Sequence, residues 1–143
     1  MNEVCFFIES LKHIKNVGAF APSSSILAKK MVSCGNTSSA QTIAEIGAGT
    51  GSITKHILKT MPQQAKLFVF EPHRPFFHHL QTLKDHRMSL IPDSAQALPL
   101  EMKKHNLSSV DCIISGVPLA NLCKEDQEEF IHQILKPGGR FDE

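Results

Sequence analysis

The heptapeptide Glu45-Ile46-Gly47-Ala48-Gly49-Thr50-Gly51, which follows directly on the apolar Thr42-Ile43-Ala44, constrains this chain more than any other stretch. A short apolar run, a glycine-rich turn and then a helical pattern describe the opening unit of a doubly wound sheet. In such sheets a nucleotide-like ligand sits outside the carboxyl ends of the strands. The glycines answer separate needs: a sharp turn, backbone approach to a ligand with no side chain between, and close packing of the following helix. Residues 66–70, Lys-Leu-Phe-Val-Phe, read as the next strand and end on Glu71, 20 residues beyond Gly51. An acidic residue at that distance is what a ribose with two free hydroxyls needs as an acceptor.

Spacing also separates two ligand classes. A dinucleotide fingerprint carries a third glycine or alanine two places after Thr50, where this chain has Ser52. A GxGxG turn with Glu45 ahead of it favours S-adenosylmethionine instead.

The remainder of the chain alternates between strand-sized and helix-sized patterns. Residues 3–15 carry Val4, Phe7, Ile8, Leu11 and Ile14 at helical spacing, with Lys12, His13 and Lys15 elsewhere around the turn, and predict an amphipathic helix. Pro22 and Ser23 to Ser25 open a second helix, with Ile26, Leu27, Met31 and Val32 toward the core and Gly35 at its end. Strands are predicted at 42–46, 66–70, 88–91 and 110–114. Helices are predicted at about 51–61, 73–83, 98–105 and 125–135, with Pro62 closing the first and Pro137-Gly138-Gly139 the last. Strands separated by helices imply right-handed parallel crossovers and a three-layer α/β sheet. Phe76, Phe77 and Leu80 read as core and helix-packing residues.

Composition excludes several classes. The 143 residues suffice for one domain with a single core. A formal charge of +1 gives no global basic field for nucleic acid. Cys5, Cys34, Cys112 and Cys123 form no CxxC pair and no secretory signal is read ahead of them, so they are expected to be reduced thiols of a cytosolic protein. His73, His78, His79 and His86 make no i, i+4 ligand pair, so no metal site is expected. Glu125, Asp126, Glu128 and Glu129 read as a solvated acidic face at a helix start, where the macrodipole favours them.

Four stretches carry a family resemblance: Asn16-Val17-Gly18-Ala19-Phe20-Ala21-Pro22-Ser23-Ser24, Glu45 to Gly51, Ser115-Gly116-Val117-Pro118-Leu119, and Leu135-Lys136-Pro137-Gly138-Gly139-Arg140-Phe141. Together they resemble the class I S-adenosylmethionine-dependent methyltransferases, and more narrowly the bacterial phospholipid N-methyltransferases that act on phosphatidylethanolamine. Ribosomal RNA adenine methyltransferases share the layout but have Asn-x-Pro-aromatic where this chain has Leu119, and without a ring there is nothing at that point to stack on a flipped base.

The resemblance implies a Rossmann-like, mostly parallel sheet flanked by helices. It implies further C-terminal strands, and the expectation is that this chain lacks them. The cofactor would lie against Gly47, Ala48, Gly49, Thr50 and Gly51, with Glu45 near its amino end and Glu71 and Pro72 at the ribose. Asp93, with Ser94 and Ala95, would receive the adenine amino group; Ser115 would border the cofactor and Gly116 and Pro118 the methyl acceptor. No residue is identified as a general base. An aminophospholipid substrate and a peripheral place at the inner membrane surface follow, with the first helix as either an interfacial anchor or a packing element. Two further readings stay open, a cofactor-binding remnant without activity and an RNA methyltransferase. With no fifth strand beside it, strand 110–114 is expected to present an open edge and to self-associate, together with helix 124–135, or to be covered by the last residues.

Overall fold

A computed structural model describes residues 3–6, 28–29, 32–33, 36–116 and 125. Five strands, β1 (Glu3–Phe6), β2 (Thr42–Ile46), β3 (Lys66–Phe70), β4 (Met88–Ile91) and β5 (Cys112–Ser115), form one sheet in the order β1-β5-β2-β3-β4. Every pairing is parallel. The β2 and β3 sequences, Thr-Ile-Ala-Glu-Ile and Lys-Leu-Phe-Val-Phe, are nearly unbroken apolar runs because parallel strands are covered on both faces.

Three helices fill the crossovers: α1 (Ser52–Thr60), α2 (Arg74–Leu80) and α3 (Leu98–Lys104). Helix α1 buries Thr54 and Ile57 on one face, and Met61, just ahead of Pro62, caps its end by donating to the Ile57 carbonyl at 2.8 Å. Prolines in the first turns of α2 and α3 stand where a missing N–H costs nothing. Short 3-10 turns extend α2 (Gln81–Leu83) and precede α3 (Ala95–Ala97).

Alternation along the strands sorts the core into two layers. Ile43, Leu67, Val69, Cys112 and Ile114 pack toward Ile57 of α1, and Ala44, Ile46, Phe68, Phe70 and Ile113 toward Leu98 and Met102 of α3. Phe68 and Phe70 are fully buried, each contributing about 2 kcal/mol by removal of its ring from water. The chain runs outward from β2 to β3 and β4, then returns to place β5 on the other side of β2. That reversal makes the carboxyl ends of β2 and β5 a topological switch point, where sheets of this kind take a ligand.

Two expectations are corrected. Glu3–Phe6 is a strand, not the start of a helix, and pairs with β5 in the register Glu3↔Cys112 to Phe6↔Ser115. Residues 7–15 of the expected helix lie outside the described residues. Helical spacing was overridden by an edge whose N–H and C=O groups require a partner, and Val4 and Phe6 suit a strand. Strand β5 therefore has β1 on one side and β2 on the other, so the open edge on which the expected self-association rested is filled. Phe76 is the second correction. It is 38% exposed, its ring 4.9 Å from that of His73, whereas Leu80 is fully buried. Strands 42–46, 66–70 and 88–91 match their sequence boundaries. Of helix 125–135, Glu125 alone lies within the described residues, and it is helical and exposed.

Candidate active site

The carboxyl ends of β2, β3 and β5 bring the predicted residues together. The ladder continues past the strands: Gly47 donates to the Phe70 carbonyl at 2.9 Å, Gly116 to that of Ile46 at 2.8 Å, and Glu71 to that of Ile91 at 3.0 Å. Gly116 lies so close to the glycine turn that a Cβ there would stand 2.7 Å from the Gly47 carbonyl oxygen. The turn then takes the left-handed conformation at Gly49 (φ 56°) and at Gly51 (φ 86°), which caps α1. At Gly49 a Cβ would meet no heavy atom within 4 Å, so it would project into open space above the turn.

Glu71 locks this turn to β3. Its Oε1 accepts the Gly49 N–H at 2.8 Å and its Oε2 accepts the His73 N–H at 3.0 Å, with the side chain 5% exposed. A carboxylate has about four acceptor positions, so one bond to each oxygen leaves capacity for two further donors. Pro72, between the two anchors, is exposed.

Glu45 behaves differently. It points into the layer between β2 and α1, is fully buried, and accepts the Thr54 hydroxyl on Oε2 at 2.6 Å. Its Oε1 has no hydrogen-bond partner. Burial raises its pKa to about 7, with the Thr54 bond opposing and the nearby Glu71 charge adding to the rise. Sequence reasoning had Glu45 but not Thr54, whose signal was a threonine three residues before Ile57 on the buried face of α1.

The outer residues occupy the same end of the sheet. Asp93 is exposed and accepts the Ser94 N–H at 2.7 Å, while Ala95 is buried below it. Thr50 is exposed with its hydroxyl 3.1 Å from that of Ser52, and Ala48 is buried in the core. Ser115 is buried opposite Ile46 at the end of β5. Pro118 lies outside the described residues.

No protein-family model matches the chain. The ornithine lipid N-methyltransferase of Singulisphaera acidiphila is 27% identical over 143 aligned residues, 96% of this chain and 74% of that protein. Among solved structures, the O-methyltransferase TomG from Streptomyces achromogenes, in complex with SAM, superposes with a TM-score of 0.52 at 16% identity, covering 69% of this chain and 45% of TomG. The plantazolicin methyltransferase BpumL, in complex with SAH, gives 0.53 at 17% identity, covering 78% of this chain and 39% of BpumL. By fold the chain is similar to these methyltransferases. The chain spans less than half the length of those two structures.

Within this fold the glycine turn and Glu71 can accommodate S-adenosylmethionine. The space over Gly49 admits a ligand against bare backbone, and Glu71 retains acceptor capacity at the point where ribose hydroxyls are expected. No helix among the described residues is long and apolar enough to cross a membrane.

Proposed function

We propose that this chain binds S-adenosylmethionine at the β2–β3–β5 end of the sheet and directs its methyl group to the amine of an amine-bearing membrane lipid. The observation that carries the cofactor half is Glu71, fixed by two backbone N–H groups and still able to accept two more donors. The lipid half is supported by the 27% identity to a lipid N-methyltransferase across nearly the whole chain. Phosphatidylethanolamine and ornithine lipid are the two substrates in this class that the resemblance and the relative respectively suggest.

The bound cofactor supplies an electrophilic methyl on a sulfonium. The chain holds and orients. Glu71, with Pro72 beside it, receives the ribose hydroxyls; Gly47, Gly49 and Gly51 admit the ligand to the backbone; Asp93 takes the adenine amino group; Ser115 borders the cofactor and Gly116 the acceptor. Glu45 sets the turn from beneath by tying Thr54 of α1 to β2. An ammonium has no lone pair, so the acceptor amine must arrive neutral, and placing it in line with the methyl group in a water-poor pocket accounts for most of the rate gain.

Two measurements test this. Glu71→Ala should weaken cofactor binding by about 1 to 3 kcal/mol in calorimetry, since it removes a charged acceptor of two hydroxyls; unchanged affinity would remove Glu71 from the site. Labelled S-adenosylmethionine offered with phosphatidylethanolamine vesicles, with ornithine-lipid vesicles and with RNA should label a lipid. Label in RNA alone would overturn the acceptor assignment.

A further inference from the structure

On the outer side of α1, toward the amino ends of the strands, lies a second cavity of about 330 Å³. Lys29, Ser33, Asn36, Ser38 and His56 supply polar side chains to its wall, and no carboxylate lines it among the described residues. Among the described residues neither Lys29 nor His56 has an acidic partner. Partial burial and the charges of Lys59 and Lys29 depress the pKa of His56. Among the described residues Lys29 therefore brings positive charge to this cavity with no carboxylate beside it, next to an imidazole whose protonation Lys59 and Lys29 disfavour. Every member of the group is better accommodated once an anion arrives.

Thr37 and Thr60 define the floor. Their hydroxyls are 2.7 Å apart and Thr60 is bonded to the His56 and Ile57 carbonyls, so the loop carrying Asn36 and Ser38 is pinned against α1. The donors are accordingly held by the fold. A neighbouring cavity of about 350 Å³ offers a control, because its guanidinium, Arg87, is already engaged by both oxygens of Asp85 and by the Leu58 and Met61 carbonyls. Similar in size and also cationic, that cavity sets Asp85 beside Lys59, His86 and Arg87, so a carboxylate offsets its positive charge. The described lining of the Lys29–His56 cavity has no carboxylate to engage its lysine.

We propose that the Lys29–His56 cavity is an oxyanion site that binds a phosphate group, free or as the ester of a small molecule or lipid headgroup, separately from the methyl-transfer site. A tetrahedral oxyanion suits a cluster of amine, imidazole, amide and hydroxyl donors, and charge-assisted bonds to it are about twice as strong as neutral ones. The site is independent of the cofactor assignment, since it shares no residue with the glycine turn.

Inorganic phosphate titrated into the full chain at constant ionic strength, followed by NMR, should give saturable shifts at Asn36, Ser38 and His56 with millimolar affinity. It should also raise the pKa of His56. Lys29→Gln should weaken binding by about tenfold and the Lys29→Gln/His56→Gln pair by more, each keeping the wild-type melting temperature because both positions reach solvent. Vesicles containing phosphatidic acid that displace phosphate identify a lipid headgroup, and displacement by glycerol phosphate alone identifies a soluble ester; either supports the site. Shifts that rise linearly without saturation, or that persist unchanged in the double variant, would overturn it.

Discussion

The two ends of the sheet use carboxylates in opposite ways. At the amino end Asp85 binds Arg87 through both oxygens, at 3.0 and 2.8 Å, and also accepts the Arg87 N–H at 2.9 Å. Arg87 passes that order on by donating to the Leu58 and Met61 carbonyls at the end of α1. Asp111 accepts the N–H groups of Gln41 and Thr42 and so fixes the start of β2. At the carboxyl end Glu71 makes one bond per oxygen and Glu45 leaves one oxygen with none. Asp85 and Asp111 are thus engaged in holding the fold, whereas the carboxylates at the carboxyl end keep acceptor capacity in reserve. Reserve capacity held by rigid backbone is what the proposed ligand end requires, because desolvated acceptors without partners are costly unless something else completes them.

The largest effect that can test this contrast is at Gly49. Gly49→Val puts a β-branched side chain at φ 56° and into the open space above the turn. Cofactor affinity should fall by about a hundredfold or more, near 3 kcal/mol, by calorimetry. Normal binding would remove the turn from the site.

A change of comparable size should appear in the pH dependence of the empty protein. The folded state holds the Glu45 proton more tightly than the unfolded chain, so this stabilisation is full below about pH 4.5 and is lost as pH rises through about 7. Denaturation at a series of pH values should show a decline on the order of 3 kcal/mol across that window. Glu45→Gln should flatten it, and an identical slope in the variant would place the burden on another group.

Breaking the amino end should do the reverse of breaking the ligand end. Arg87→Ala strands Asp85 and two carbonyls, which should lower stability by about 2 kcal/mol in denaturant while cofactor affinity measured on the folded protein is kept. Asp85 is held at a pKa of about 2, chiefly by its bond to the Arg87 side chain, so this support persists above pH 3.8 and is lost as pH falls through about 2. The smallest effect is expected at Asp111→Ala, about 1 kcal/mol of stability from two lost backbone bonds, again with affinity unchanged. A fall in affinity in either variant would show that the two ends are coupled.

Much of the ligand end was legible in residue order because its signals are local. Turn glycines, the apolar runs of β2, β3 and β4, and Glu71 at the end of β3 depend on spacing within a few residues or one crossover unit, and all stand where the pattern puts them. Glu45 was legible as a member of the motif, but its isolation was not. Burial and an orphaned oxygen depend on α1 folding over β2 and on Thr54 facing inward.

Sequence alone determined the parallel α/β class, the glycine turn after β2 and the acidic residue that ends β3, since hydrophobic period and turn chemistry are written into neighbouring residues. Tertiary structure decided the rest. Glu3–Phe6 became a strand because β5 offered an unpaired edge from the far end of the chain. Phe76 stayed at the surface because α2 buries Leu80 instead. Lys29 and His56 came to share one cavity because Thr37 and Thr60 pin a loop against α1. Each outcome turns on which distant segments meet, and no local pattern carries that information.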